Sequence, residues 1–348
     1  MTSEWPTFDS CGRLSRADAV RYLERIRVPA AVVDCEPSLE LLTRLQSQHI
    51  FNVPFETTAV HIPDLDDDDA RINLGQGPGV TLGRDAFETI VMRKRGGYCF
   101  SLNSTFALLL RYFGFRVSEM AARVYKYLGE DPLDKGWDWH ATSHQCAIVD
   151  WEGSDQRYFV DVGFGSAQSL YPIPFQHGSE QTSFPKHERF RLDRHDRLPI
   201  QVAWPVADPQ PAWILSHLEY PRGDAKGTPR PPYWSPVYAF VHSTVSYNDF
   251  VVYNHYNSTF PGATFVNFFV VTQLQHTGER LTLSFSEKTA EPSSNGTPKR
   301  VAKLSRTGGQ ADPGDEARLR DQRDVQWVDM NVRAVKAVLK ENFGFEFA

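Results

Sequence analysis

No stretch of this sequence stays apolar for the ~20 residues that a membrane-crossing helix needs. The run Phe265-Val266-Asn267-Phe268-Phe269-Val270-Val271 is short and reads as a strand. The start, Met1-Thr2-Ser3-Glu4-Trp5-Pro6, lacks the charged region and apolar segment of a secretory signal. Cysteine is scarce. Cys11, Cys35, Cys99 and Cys146 make no disulfide framework in 348 residues, and no CxxC pair points to zinc. Reduced thiols and a cytoplasmic setting are the expectation, with no membrane partner and no metal. Excess positive charge is lacking too. The 37 Lys and Arg stand against 43 Asp and Glu, a net charge of −6, so no nucleic-acid partner is expected. The Gly-rich stretch 73–83 has no GK[ST] of a phosphate loop, and no internal repeat is found. N-x-S/T matches at Asn103, Asn257 and Asn295 matter only on a secretory route.

The length allows one to three domains. The first hundred or so residues read as mainly helical. Ser15 starts a run with Val20, Leu23 and Ile26, and Pro37-Ser38 starts another with Leu39, Leu42 and Leu45. Asp64 and Asp66 to Asp69 form an acidic loop, read as a solvated turn, with metal binding as the minor alternative. From about residue 115 the apolar period changes to two. Val117 to Val124, Gln145 to Val149, Tyr158 to Val162, Phe265 to Val271 and Arg280 to Phe285 are expected strands. Pro199 to Pro236 reads as loop, and Glu291 to Asp324 as a long flexible insertion. A last helix is expected from about Val328 to Glu341.

The most informative stretch is Arg95-Gly96-Gly97-Tyr98-Cys99-Phe100-Ser101-Leu102-Asn103. It sets Cys99 after a Gly-Gly turn, at the start of an apolar helical run that stops at Gly114. A helix N-terminus has free N–H groups and partial positive charge, which favours a thiolate. A covalent catalyst is one reading; a buried, inert helix cysteine is the other. A nucleophilic thiol needs a base, and the base needs an orienting group. A hairpin centred on Glu152-Gly153 sets His144 directly opposite Asp161, close enough for a carboxylate to hold one imidazole nitrogen. His140 is the competing base. Cys146 reads as core.

Five segments in order resemble the arylamine N-acetyltransferase family. Arg93-Lys94-Arg95-Gly96-Gly97-Tyr98-Cys99 is similar to its catalytic-cysteine motif, and His49 through Asn52-Val53-Pro54-Phe55-Glu56 to its upstream signature. His144 to Val149 and Tyr158 to Gly165 resemble the segments carrying its histidine and aspartate. Asn254-His255-Tyr256-Asn257-Ser258-Thr259-Phe260-Pro261 resembles its segment near coenzyme A. The resemblance implies an α+β fold of three domains around a cysteine-protease-like Cys-His-Asp core. These are a helical bundle (1–114), a small β-barrel (115–236) and an α/β lid domain (237–348).

It also implies a triad of Cys99, His144 and Asp161, acyl-coenzyme A contacts at Ser143, Tyr256 and Gly262, and arylamine contacts at Phe55 and Val124. The implied activity is acyl transfer from coenzyme A through an acyl-cysteine to an aromatic amine or hydrazine. Acetyl-, propionyl- or malonyl-coenzyme A is the co-substrate, and the protein is expected to be a monomer or homodimer. The chain stops at Phe347-Ala348, soon after its last helix, whereas vertebrate members extend a tail toward the pocket. Together with the insertion, this looks like a fungal or other microbial member with a more open coenzyme cleft. Some fungal members prefer malonyl thioesters. A papain-like or transglutaminase-like enzyme and a non-catalytic binding module are the rival readings.

Overall fold

The computed structural model describes residues 12–200, 207–221, 230–286, 289, 301–309 and 316–347. Its helical part begins where Ser15 Oγ accepts from the Asp18 amide at 3.1 Å, capping α1 (Arg16–Arg25). Ser38 caps α2 (Leu39–Asn52) in the same way. Tyr22 of α1 and His49 of α2 meet at 2.9 Å between the hydroxyl and Nδ1, and burial lowers His49 to about 3. Pro54 then forces extended backbone, and β1 (Phe55–Glu56), α3 (Thr58–His61) and α4 (Gly83–Phe87) follow. Next comes α5 (Cys99–Tyr112), which ends at Gly114 with φ 86. There Gly114 N bonds Arg111 O and Phe115 N bonds Leu110 O, so the last carbonyls of the helix are satisfied.

The next strands and one short helix are β2 (Arg116–Tyr125), α6 (Pro132–Lys135), β3 (Trp139–Asp150), β4 (Tyr158–Val160), β5 (Ile173–Pro174), β6 (Ser179–Thr182), β7 (Arg189–His195), β8 (Ala212–Glu219) and β9 (Tyr233–Val241). They form one eight-stranded sheet in the order β5-β4-β3-β2-β9-β8-β7-β6. Its two end strands are joined by 175–178 alone. So short a link spans less than ~20 Å, whereas the edges of a flat eight-stranded sheet lie over ~30 Å apart. The sheet must therefore roll into a nearly closed barrel. Its interior holds Met120, Ile148, Phe159, Phe190, Leu215, Tyr238 and Phe240.

The expected loop at 199–236 is corrected in part, with 201–206 and 222–229 lying outside the described residues. It contains β8 and the start of β9. Pro236 is tolerated inside β9 because it sits beside a break in register against Ser216. β9 also runs through residue 236, where the second domain was expected to end.

The third part opens with α7 (Tyr247–Thr259), which Ser246 and Asp249 start as a capping box. A five-stranded antiparallel sheet follows, in the order β1-β10-β11-β12-β13, with β10 (Phe269–Leu274), β11 (Glu279–Phe285), β12 (Val301–Gly308) and β13 (Arg323–Asp329). β1 is its edge, with Phe55 opposite Thr272, so the segment before the cysteine helix is fastened to the C-terminal sheet. The final helix α8 (Val332–Phe343) packs Val335, Leu339 and Phe343 against Val271, Leu283 and Leu304.

Three expectations change in this part. Residues 264–266 form a 3-10 turn, and the strand starts at Phe269. The expected insertion 291–324 contains β12, with Val301, Ala302 and Leu304 buried, and the start of β13; 291–300 and 310–315 lie outside the described residues. The last helix starts at Val332, because Asn331 caps it and Val328 belongs to β13. Asp66 and Asp68 of the acidic loop pair with Arg95 at 2.5 Å and Lys336 at 2.7 Å. Among the described residues, no helix is long and apolar enough to cross a membrane, and no group of three His, Cys, Asp or Glu could hold a metal.

Candidate active site

Cys99 is the first residue of α5 and is buried. The segment before it is held from several sides. The Arg25 guanidinium donates to the carbonyls of Asn52 (2.5 Å), Ile90 (2.9 Å) and Arg95 (3.1 Å). At Gly96 a Cβ would stand 2.1 Å from Pro54 O, so only glycine fits between the two loops. Tyr98 caps the helix without a side-chain bond to it; its hydroxyl donates instead to Asn254 Oδ1 of α7. The first bond of the helix runs from Leu102 N to Tyr98 O at 3.0 Å. The amides of Cys99, Phe100 and Ser101 therefore stay outside the helical ladder, beside the sulfur.

β3 brings His144 to this helix end. His144 Nε2 lies 2.8 Å from Asp161 Oδ2, with both residues buried. The thiol of Cys99 is 3.6 Å from Ser143 O, and it lies near enough to His144 to help raise the imidazole's pKa. The hairpin register differs from expectation. β3 and β4 pair Ala147 with Val160, Ile148 with Phe159 and Val149 with Tyr158, two residues away from the predicted pairing. The tight turn at 152–153 is instead a wider loop from 151 to 157. A shift of two keeps every side chain on its face. Asp161, just beyond β4, thus reaches His144 on the diagonal rather than straight across.

Asp161 is surrounded by donors. Tyr238 OH lies at 2.6 Å from Oδ2, while Asn103 Nδ2 (2.9 Å) and Gly163 N (2.8 Å) donate to Oδ1. Burial alone would raise its pKa, but His144, Tyr238 and Asn103 outweigh that and hold the carboxyl below the usual range. Burial likewise opposes an imidazolium at His144. The Asp161 carboxylate and the Cys99 thiol overcome it, so His144 is raised above its ordinary value. Cys146 behaves differently: it is fully buried, and burial pushes its thiol well up, as befits a core cysteine.

Sequence reasoning missed Asn103 and Tyr238. Asn103 stood out only as a glycosylation match, yet it lies one helical turn after Cys99, and that spacing on an apolar helix was the available signal. Tyr238 lies in β9, the strand hidden by the Pro-rich segment.

The thiol opens on a cavity of about 390 Å³. Phe55, Cys99, Val124, Ser143, His144, Tyr256 and Gly262 all line it, while Asp161 sits behind His144. His140 and Lys126 lie at the same cavity. Phe55 comes from β1, Val124 from β2 and Tyr256 from α7, so all three parts of the chain contribute. The arrangement offers a nucleophile, a charged acid–base partner, free amides and an apolar chamber, which suits acyl transfer through a thioester.

The profile of the N-acetyltransferase family matches residues 38–307. Over 250 residues the chain is 30% identical to an arylamine N-acetyltransferase of Mycolicibacterium smegmatis, covering 70% of this chain and 72% of that protein. The chain belongs to the arylamine N-acetyltransferase family. Another relative of this family member is "N-malonyltransferase FDB2" of Fusarium pseudograminearum, 27% identical over 79% of this chain and 78% of that one. The fold agrees. The Nocardia farcinica arylamine N-acetyltransferase superposes with a TM-score of 0.65 at 21% identity, over 99% of this chain and 94% of that one. The Mycobacterium marinum arylamine N-acetyltransferase in complex with CoA gives 0.61 at 21% identity, over 94% and 92%.

Proposed function

We propose that this arylamine N-acetyltransferase family member moves an acyl group from coenzyme A to an aromatic amine or hydrazine by a ping-pong route through Cys99. The observation that carries the reading is the buried Cys99–His144–Asp161 line opening on an apolar cavity. His144, oriented by Asp161, holds Cys99 as thiolate. The thiolate attacks the thioester carbonyl, and amides at the start of α5 stabilise the oxyanion. The tetrahedral adduct collapses, coenzyme A leaves with the His144 proton, and an acyl-cysteine remains. The amine then attacks that carbonyl, neutral His144 takes its proton, and the amide departs as Cys99 leaves as thiolate. Phe55 and Val124 favour a flat aryl group over water. Ser143, Tyr256 and Gly262 are the proposed coenzyme contacts.

On this reading the helical domain supplies Cys99, the barrel domain, which β9 carries past residue 236 to Val241, supplies His144 and Asp161, and the last domain closes over the site. Acetyl is the first donor proposed. Malonyl is the second, favoured by the likeness to the Fusarium malonyltransferase. Initial rates with both substrates varied test the route. Parallel double-reciprocal lines support it, and intersecting lines oppose it. Peptide cleavage without acyl transfer favours a papain-like enzyme instead.

A further inference from the structure

The acyl-transfer reading leaves open what charge the cavity accepts, and the inference below rests on that reading. Among the described residues, Lys126 is the one lysine or arginine lining the cavity. It ends a graded face of β2. Ala122 pairs with His144 in the ladder and is buried, Val124 is half-buried, and Lys126 is exposed just past the strand. Each step of two residues adds roughly 7 Å along the chain. Lys126 thus stands toward the mouth, on a flexible stem that can reach back inward.

Its ammonium donates to Asp138 Oδ2 at 2.7 Å, and Asp138 does not line the cavity. The two side chains keep 40% and 45% of their exposure, and an ion pair so open to water contributes little. An ammonium has three donors, so a further carboxylate can be received beside Asp138 or in its place. The neighbouring His140 adds no competing charge. Lost hydration and the nearby Lys126 lower its pKa, with Asp138 opposing, so it stays a neutral hydrogen-bonding ring.

We propose that Lys126 is a specificity-determining residue that receives a substrate carboxylate at the cavity mouth, with Asp138 as the internal carboxylate it is weighed against. The carboxylate has two possible sources, the far end of a malonyl thioester or an acid group on the arylamine. No atom of Lys126 takes part in bond making; it acts on binding of the charged substrate.

The test uses the full chain and its Lys126→Gln and Asp138→Asn variants. kcat/KM is measured for malonyl- against acetyl-coenzyme A with aniline, and for para-aminobenzoate against aniline with acetyl-coenzyme A. Lys126→Gln is expected to lower the charged-to-uncharged ratio roughly three- to tenfold, and Asp138→Asn to raise it. A shift in the donor ratio identifies the malonyl arm, and a shift in the acceptor ratio the aryl acid. A purely structural role moves charged and uncharged substrates together, and unmoved ratios in both variants overturn the inference alone. If the wild-type chain transfers neither acyl group, the acyl-transfer reading falls and the inference falls with it.

Discussion

Gly163 lies directly against Cys99: a Cβ at position 163 would stand 2.8 Å from the Cys99 Cα and 2.7 Å from Asn103 Nδ2. The residue that follows the aspartate by two is thus packed on the backbone that carries the thiol. Neither neighbour can step aside cheaply, since one is helix backbone and the other donates to Asp161. Gly163→Ala is expected to destabilise by about 1–3 kcal/mol, as overpacking does. It should also lower acyl-transfer kcat/KM more than tenfold by tilting Cys99 away from His144. Urea unfolding and steady-state rates measure the two effects. Wild-type behaviour in both opposes this packing role.

Asn103→Ala removes one of the two donors to Asp161 Oδ1 and leaves the Val162 amide and the Gln145 carbonyl short of a partner. Unmet buried groups cost about 1–3 kcal/mol each at most. A loss of stability in that range is expected, with a fall in the rate of Cys99 alkylation by iodoacetamide at neutral pH. An unchanged alkylation rate would show that Asn103 does not act through Asp161 on the thiol.

Tyr238→Phe is gentler. It deletes only the hydroxyl that bonds Asp161 Oδ2 and keeps the ring that packs 4.5 Å from His144. A loss of about 1 kcal/mol is expected, with a several-fold drop in kcat/KM. An equal drop for Tyr238→Phe and Tyr238→Leu would assign the effect to packing instead of the hydrogen bond.

The buried pair also sets a pH signature. His144 is raised in the folded state. Its contribution to stability is therefore full below the unfolded histidine value of about 6.5 and is lost as pH rises toward the raised folded value. Asp161 is lowered, so its contribution is present above about 3.9 and is lost as pH falls through the folded value. The stability gap between wild type and His144→Gln should shrink from neutral to alkaline pH. Urea unfolding across that range measures it, and a gap that widens contradicts the assignment.

Much of the site was legible because its chemistry lies in short local patterns. Gly96-Gly97 before Cys99 marks a turn into a helix, and the alternation around His144 and Tyr158 marks a hairpin. The register of that hairpin came out two residues off, since a wide loop stands where a tight turn was expected. The even shift preserved the face, and His144 and Asp161 still meet.

Composition misled elsewhere. Prolines around 199–236 hid β8 and β9, although the described ones lie outside the strands or beside a register break. A polar stretch masked β12, whose Ala302 and Leu304 find their apolar partners on distant β10, β11 and α8. Tyr238 and Asn103 act over long sequence separations, which periodicity does not report.

The most direct test of the account is intact-mass spectrometry of the protein mixed with acetyl- or malonyl-coenzyme A. The account predicts a gain of one acyl group on Cys99 that an added arylamine removes and that Cys99→Ala does not acquire. An unmodified wild-type mass with both donors, or the same gain on Cys99→Ala, would contradict it.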